Sequence, residues 1–581
     1  MTPSRIESPS SGFKAAFASL RSWFVGIGLF SGVINLLGLT GAIFMLQIYD
    51  RVLTSRSMPT LAALTAVAAG LYATQGVLDI IRSRLLVRMG SRVDEILGGR
   101  IYRSILQLPL RTALVGDGLQ PVRDLDALRT FLTSHGPVAI LDLPWMPIYL
   151  AFVFMLHPWL GWLASAGAIV LLALTILAEA LSRAPTKKAM AEATRRQTLS
   201  AAGRRNAEVV RAMGFADRLT TRWQAINARY LAAQQKASDV AGGLGAVSKA
   251  FRTLLQSAML ALGAYLTIKG EVSAGAIIAA SITSSRALAP IELAIANWKP
   301  FLAARQSRHR LRELLTALPV DPAPLSLPAP ARQLAVETLS VRAPGTATPI
   351  VQNVSFVLTA GQALGIIGPS AAGKSTLVRA IVGAWPVLRG SVRIDGASLD
   401  QWNPAELGRH VGYLPQDIEL FDGTVAENIA RLDDNLEPEA IVAAARAANV
   451  HEMILRLPEG YATRIGENGM ALSAGQRQRL GLARALYGDP FLVVLDEPNS
   501  NLDADGEIAL TRAIRRARDQ GRIVLIVAHR PSAIAAVDLL AVLVDGTLQA
   551  FGPKEDVLRK TVQQAGAALR PSGLPVAAEA T

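Results

Sequence analysis

Gly368-Pro369-Ser370-Ala371-Ala372-Gly373-Lys374-Ser375-Thr376 is the stretch from which the rest of the chain is read. It fits G-x-x-x-x-G-K-[ST] and follows the apolar run Ala363-Leu364-Gly365-Ile366-Ile367. A strand, a glycine-rich loop and a helix predicted from Leu377 to Val382 form the context in which that pattern has a mechanism. The loop turns successive backbone N–H groups inward, and the helix N-terminus adds its partial positive charge. Lys374 can then reach the terminal phosphates of a nucleotide, and the Ser375 hydroxyl can ligate Mg²⁺. The plainer alternative is a chance Gly/Ser turn before a helix, and residues further along decide against it.

Some 120 residues later, Phe491-Leu492-Val493-Val494-Leu495-Asp496-Glu497 reads as an apolar strand ending in two carboxylates. A buried strand of this kind delivers Asp496 beside the loop, where it can hold Mg²⁺ through water. Glu497 is then placed to polarise an attacking water as general base. Between the two motifs, Leu472-Ser473-Ala474-Gly475-Gln476, continued by Arg477-Gln478-Arg479, starts a helix predicted over Leu480 to Leu486. Ser473, Ala474, Gly475 and Gln476 at that N-terminus form a second anion site. The chain thus has two phosphate-binding ends but one nucleotide loop.

Hydropathy separates this half from the other. Of 581 residues 51% are apolar, and the mean hydropathy is +0.32. The apolar residues concentrate before about residue 300, in six runs near the ~20 residues a helix needs to cross a bilayer. These are Phe24–Leu46, Leu61–Ile81, Val138–Leu156, Leu160–Ala180, Phe251–Ile268 and Ala274–Ala296. Residues 1–325 carry 35 Lys+Arg and 18 Asp+Glu, whereas residues 326–581 carry 24 and 27. The net charge of +14 therefore belongs to the membrane half, which argues against nucleic acid as a partner and for membrane lipids. The cations sit in the two long polar links and after the sixth run, so the positive-inside rule puts those segments, both termini and the ATPase half in the cytoplasm. The basic lead with no small-residue cleavage site reads as a signal anchor. With no cysteine, disulfides, thiolate metal sites and a cysteine nucleophile are excluded.

The expected organisation is a lead over 1–22, a membrane domain over 23–315, a Pro/Ala-rich linker over 316–330, an α/β domain over 331–560 and a tail over 561–581.

At this point the motifs resemble a known family. Ser473 to Gln476 look like the signature of ABC-transporter ATPases, and the order of the other elements is similar to that family as well. The resemblance implies a homodimer in which the signature of one subunit closes over the ATP held by the loop of the other. It implies that Gln416, in Tyr413-Leu414-Pro415-Gln416, senses Mg²⁺ and that Ser500-Asn501-Leu502-Asp503 crosses the dimer. It implies further that His529 contacts the γ-phosphate and that Gly466-Glu467-Asn468-Gly469 touches coupling helices. Turns near Gly116-Asp117-Gly118 and Arg211-Ala212-Met213-Gly214 are the expected coupling points. One departure stands out: where the family stacks an aromatic on adenine, this chain has Ala343, which predicts a weaker preference for that base.

The membrane half narrows the resemblance to type I secretion ABC exporters of the protease/lipase-exporting branch. It rests on Met45 to Leu53, on Asp142-Leu143-Pro144-Trp145-Met146-Pro147-Ile148-Tyr149 with His157-Pro158-Trp159, and on Ala279 to Lys299. The implied fold is an all-α membrane domain of six transmembrane helices fused to an α/β P-loop ATPase domain. The implied activity is ATP-driven export, across the inner membrane, of unfolded proteins with C-terminal signals, with ATP and Mg²⁺ as cofactors. A periplasmic membrane-fusion adaptor, an outer-membrane channel and the secreted substrate are the implied partners. About 22 residues precede the first run, so no leader peptidase is expected. A lipid or drug half-exporter is the main alternative, and a receptor or channel with a decayed ATPase is a second. Arg286, about 20 Å along the sixth run at ~1.5 Å per residue, is read either as lining the transport path or as paired with Asp142 or Glu292.

Overall fold

The computed structural model describes residues 18, 20–112, 118–317, 327–466, 469, 472–528 and 530–560. The expected coupling residues Gly116 and Asp117, the loop residues Glu467 and Asn468, the tail over 561–581, nearly all of the lead and most of the linker lie outside them. The chain forms two compact units, one helical and one built on β-sheets.

In the helical unit six helices are long and apolar enough to span a bilayer. They are α1 (Arg21–Ser55), α2 (Met58–Arg111), α4 (Gly136–Leu156), α5 (Pro158–Arg205), α7 (Ala216–Ile268) and α8 (Ala274–Ala296). The short helices α3 (Gln120–Thr133) and α6 (Ala207–Ala212) lie between them, and α9 (Trp298–Ala317) follows. The sixth run coincides with α8, whereas the other runs mark only parts of their helices: α2 continues 30 residues past Ile81. It does so because the polar link keeps an apolar stripe. Leu86, Met89, Val93, Leu97 and Ile101 recur every three or four residues and are buried against Leu125, Leu128 and Phe131 of α3 and Leu311 and Leu315 of α9. Asp124 sits in the same contact, 2% exposed, accepting from Ser307 Oγ and from Nε and Nη2 of Arg310.

Burial sorts the spans. The apolar window of α2 is 6% buried and that of α8 61% buried, so α2 offers its surface to lipid while α8 is the inner helix. Small residues let α8 and its neighbours approach closely, as in membrane bundles generally. A Cβ on Gly275 would lie 2.6 Å from the Asp50 carboxylate, which caps α8 by accepting from the Gly275 amide at 3.0 Å and the Ser273 hydroxyl at 2.6 Å. Asp50 reaches that position from a π-helical turn, Ile48–Val52, within the Gln47-Ile48-Tyr49-Asp50-Arg51 motif.

The second unit holds two sheets. Strands β1 (Gln333–Arg342), β2 (Pro349–Thr359), β4 (Val387–Ile394) and β5 (Ala397–Ser398) form an antiparallel sheet in the order β2-β1-β4-β5. The other sheet runs β10-β9-β3-β8-β7-β6, with β3 (Ala363–Ile367), β6 (Val411–Leu414), β7 (Leu492–Asp496), β8 (Ile523–Val527) and β9 (Leu539–Val544) parallel and β10 (Thr547–Pro553) antiparallel at its edge. Strands β7 and β8 are buried at every position, as parallel strands covered on both faces must be. Helix α10 (Lys374–Ile381) follows the loop after β3, and α11 (Ala474–Leu486) precedes β7. Arg431 joins the end of α11 to the start of β6 without any carboxylate. Its buried guanidinium donates to the carbonyls of Gly408, Val411, Arg484, Ala485 and Tyr487.

Candidate nucleotide site

The loop between β3 and α10 has the backbone that its sequence demands. Gly368 has φ +152°, Ala371 +66° and Gly373 +92°, all in the positive region that glycine enters without cost. At Gly368 space enforces the choice too, since a Cβ there would come within 2.0 Å of the Leu543 carbonyl oxygen on β9. Lys374, 5% exposed, donates Nζ to the Gly368 and Pro369 carbonyls at 3.0 and 2.8 Å. Its ammonium thus lies over the loop, the place a phosphate would take. Burial pushes its pKa below the ordinary lysine value, and the nearby Glu497 and Asp496 charges partly restore it.

Asp496 arrives at the end of β7, 1% exposed, and its Oδ1 accepts from Ser375 Oγ at 3.2 Å. Its other oxygen, Oδ2, is buried with no hydrogen-bond partner among the described residues. Burial raises this carboxyl above its ordinary value. The Ser375 hydrogen bond opposes the shift, Glu497 adds to it, and the Arg379 and Lys374 charges oppose it. An orphaned carboxylate oxygen beside a hydroxyl is an incomplete set of hard oxygen ligands, which is the kind Mg²⁺ takes while keeping several waters. The residues therefore fit that ion.

Glu497 follows with φ +50°, a left-handed conformation costly for a residue with a Cβ, and donates its amide to the Val527 carbonyl at 3.1 Å. Gln416 is exposed just past β6 and has no hydrogen-bond partner among the described residues, so the structure does not join it to Ser375 and Asp496. His529 lies outside the described residues.

The second anion end begins α11 earlier than its apolar pattern predicts, at Ala474. Ser473 is the N-cap, accepting from the Gln476 amide at 3.3 Å, while the Gln476 side chain accepts from the Ser473 amide at 2.8 Å. This reciprocal capping box fixes the helix start. Gly475 is needed there because a Cβ would meet the Asn501 carbonyl oxygen at 2.9 Å.

Sequence reading did not single out Gln478. It is 2% exposed, and its Nε2 donates to the carbonyls of Pro498 (2.5 Å) and Glu497 (3.3 Å) and to Ser500 Oγ (3.3 Å). Its Oε1 accepts from the Asn501 amide at 2.9 Å. Arg479 adds an ion pair to Asp503, its Nη2 donating to both carboxylate oxygens at 2.8 and 2.9 Å. The signature helix is thus tied, within one chain, to the segment that carries Glu497. A glutamine amid a polar run gives no sign of this in sequence; a sign would have been its position on the inward face of α11.

The turn over Ala343 to Thr348 joins β1 to β2, and the first residues of β2 lie against the loop. A Cβ on Gly373 would touch Val351 Cγ2 at 3.0 Å and Ile350 Cγ2 at 3.3 Å. Ala343 opens the turn that leads into those residues. In the helical unit, the two carboxylates offered to Arg286 are otherwise engaged. Asp142 accepts from Arg82 at 3.3 Å and from Asn35 at 2.9 Å, and Glu292 from Arg252 at 2.6 Å. Arg286 itself is exposed, with no ion pair among the described residues.

A cradle at the end of a parallel strand, a buried carboxylate against its serine, a capped signature helix and six membrane-length helices define the half-unit of an ATP-driven exporter. Comparison with known proteins agrees. Residues 351–500 match the ABC transporter family and residues 24–287 the ABC transporter transmembrane region. The type I secretion system ATP-binding protein PrsD of Rhizobium meliloti is 55% identical over 94% of each chain. The cyclolysin secretion/processing ATP-binding protein CyaB of Bordetella pertussis is 32% identical over 91% of this chain and 75% of its own. A bacterial Atm1-family ABC exporter solved with ATP bound has the same fold, with a TM-score of 0.81 over 96% of this chain and 100% of that one at 23% identity. This chain belongs to the ABC transporters and, within them, to the ATP-binding proteins of type I secretion systems. It is a multi-pass membrane protein that binds nucleotide and couples ATP hydrolysis to protein export.

Proposed function

We propose that this chain is the inner-membrane motor of a type I secretion system, exporting unfolded proteins of the RTX protease and lipase type with C-terminal signals. The observation that carries the site's part in this reading is the Ser375–Asp496 pair, with its orphaned oxygen, directly under a Lys374 already lying over the loop. The loop Gly368 to Thr376 would bind the phosphates; Ser375 and Asp496, joined by Gln416 if its segment moves toward them, would hold Mg²⁺, which would supply charge neutralisation on the phosphates. Glu497 takes a proton from the attacking water, and His529 holds the γ-phosphate. One loop and one signature per chain make a homodimer, in which Ser473 to Gln476 of each copy close over the nucleotide of the other. The membrane domain spans residues 23–315 and the ATP-binding domain 331–560, with both termini cytoplasmic. A periplasmic adaptor and an outer-membrane channel complete the path.

The exposed and unpaired Arg286 lines that path and engages acidic segments of the cargo. Replacing Arg286 with Ala should cut secretion several-fold with ATPase activity intact; unchanged secretion by a normally assembled variant rejects this role. The reading as a whole is tested in proteoliposomes. Turnover stimulated by the C-terminal fragment of a glycine/aspartate-repeat protein, and not by amphiphiles, supports it. The reverse pattern would favour a lipid or drug exporter.

A further inference from the structure

Between α5, α7, α8 and α9 the helical unit encloses a cleft of about 1150 Å³, larger than the ~300–1,000 Å³ of an ordinary small-molecule site. Three of its walls can be placed in depth from helix length alone. At ~1.5 Å per residue, Arg183 lies about 38 Å from the start of α5, and Lys249 about 29 Å from the end of α7. Lys299 follows the end of α8, whose 23 residues span about 35 Å. A hydrocarbon core is ~30 Å thick, so all three helices bring the cleft to the same boundary, where acyl chains give way to headgroups on the cytoplasmic side. This depth rests on the orientation proposed above.

The charge at that boundary is one-sided. Arg183, Lys187, Lys249, Lys299 and Arg305 line the cleft, and none has an ion-pair partner among the described residues. Of the two carboxylates in the lining, Glu292 is held by Arg252, which leaves Glu179 against five cations. Ile295 and Leu302 supply apolar wall. The indole N–H of Trp298, also in the lining, is closed off from solvent and has no acceptor among the described residues. A ligand that is anionic at one end and apolar at the other matches the five cations and the apolar wall. We propose that the cleft is a binding site for an anionic phospholipid of the inner leaflet, its phosphate among the cations and its acyl chains along the apolar wall. An acidic stretch of cargo would match the charge, but it leaves the apolar wall and the common depth of the three helices unexplained.

The test uses the full-length protein in nanodiscs of phosphatidylcholine alone or mixed with phosphatidylglycerol, with retained lipid read by mass spectrometry of the intact protein. Basic residues near an anionic surface contribute about five-fold each. The combined change Lys187→Gln, Lys249→Gln, Lys299→Gln and Arg305→Gln should therefore lower phosphatidylglycerol retention at least ten-fold. The control Arg205→Gln, Arg218→Gln, Arg222→Gln and Lys236→Gln removes equal charge from exposed positions outside the cleft and should retain it. Equal retention by wild type and cleft variant overturns the site, as does equal loss in the control. Displacement by a soluble Gly/Asp-rich peptide would reassign the cleft to cargo, and displacement by free glycerophosphoglycerol would show that the lipid chains are not recognised. A photoactivatable phosphatidylglycerol on the wild type gives a readout that does not depend on a variant folding; cross-links outside α5, α7, α8 and α9 reject the proposal. ATP hydrolysis in the same discs separates failure of this site from failure of the exporter reading.

Discussion

Asp496 holds one oxygen against Ser375 and leaves the other buried and unsatisfied. Burial lifts its carboxyl above the usual aspartate value, so the folded state favours the protonated form. That preference stabilises the fold in acid and is lost as pH rises through the raised value; at neutral pH the ionised carboxylate opposes folding. Asp496→Asn should accordingly raise the thermal midpoint of the nucleotide-free protein at pH 7, with the gain shrinking toward acid, while Mg²⁺-dependent hydrolysis falls at least a hundred-fold. A lower midpoint in calorimetry at pH 7 would contradict the assignment. Ala343 makes a separate prediction at this scale. Without an aromatic ring at Ala343, MgATP and MgGTP should turn over within about ten-fold of each other, a difference of ~1.4 kcal/mol in transition-state binding. Ala343→Tyr should then favour ATP. A strong preference for ATP in the unaltered protein sinks this account.

Helix α11 shows what an element can carry that its own residues do not announce. Its start was legible only in part: Ser473 marked an N-terminus, but the apolar pattern began the helix at Leu480, six residues past Ala474. Its tether was not, because Gln478 acts on Glu497, Pro498, Ser500 and Asn501, about 20 residues further on. Gln478→Ala leaves the Asn501 amide and the Pro498 carbonyl without that partner, at a cost of about 1–3 kcal/mol for each that stays buried and unpaired. Hydrolysis should fall about ten-fold or more while ATP still binds, a split read by comparing turnover with nucleotide titration. The same contrast runs through the helical unit. Hydropathy located six membrane spans but ended α2 near Ile81, since a polar link with a narrow apolar stripe looks like loop to an average and like helix to its own neighbours. The Asp50 cap on α8, more than 200 residues away in sequence, and the five carbonyls around Arg431 were equally invisible. Short motifs fix what a residue can do, and distant backbone decides whether it is allowed to.

At the scale of the whole molecule, the proposed homodimer would distribute each site between the cradle of one chain and the signature of the other. Glu497→Gln should slow hydrolysis by about 10²–10⁴ and leave ATP bound, so closed dimers accumulate. In light scattering the variant with MgATP should approach twice the 61.7 kDa chain mass beyond its detergent, and it should stay there when free nucleotide is removed. Hydrolysis at the wild-type rate would remove Glu497 from its role. Architecture was the most legible part of this chain, because strand–loop–helix order and six apolar runs are both written in short periods. The position of Gln416 and the fate of Arg286 were less so, since each depends on which partner reaches it.

The Lys374 ammonium that rests on the carbonyls of Gly368 and Pro369 has a thermodynamic corollary. An arriving phosphate exchanges one set of polar contacts for another, so the heat released on binding is smaller than the strength of the final contacts suggests. Gly368 packs against Leu543 and Gly373 against Val351, so the chain's own contacts hold the loop's turn and little ordering entropy remains to be lost on binding. Affinity should therefore show a modest calorimetric enthalpy and little dependence on loop rigidity, and most of the free energy of nucleotide capture stays available for closure.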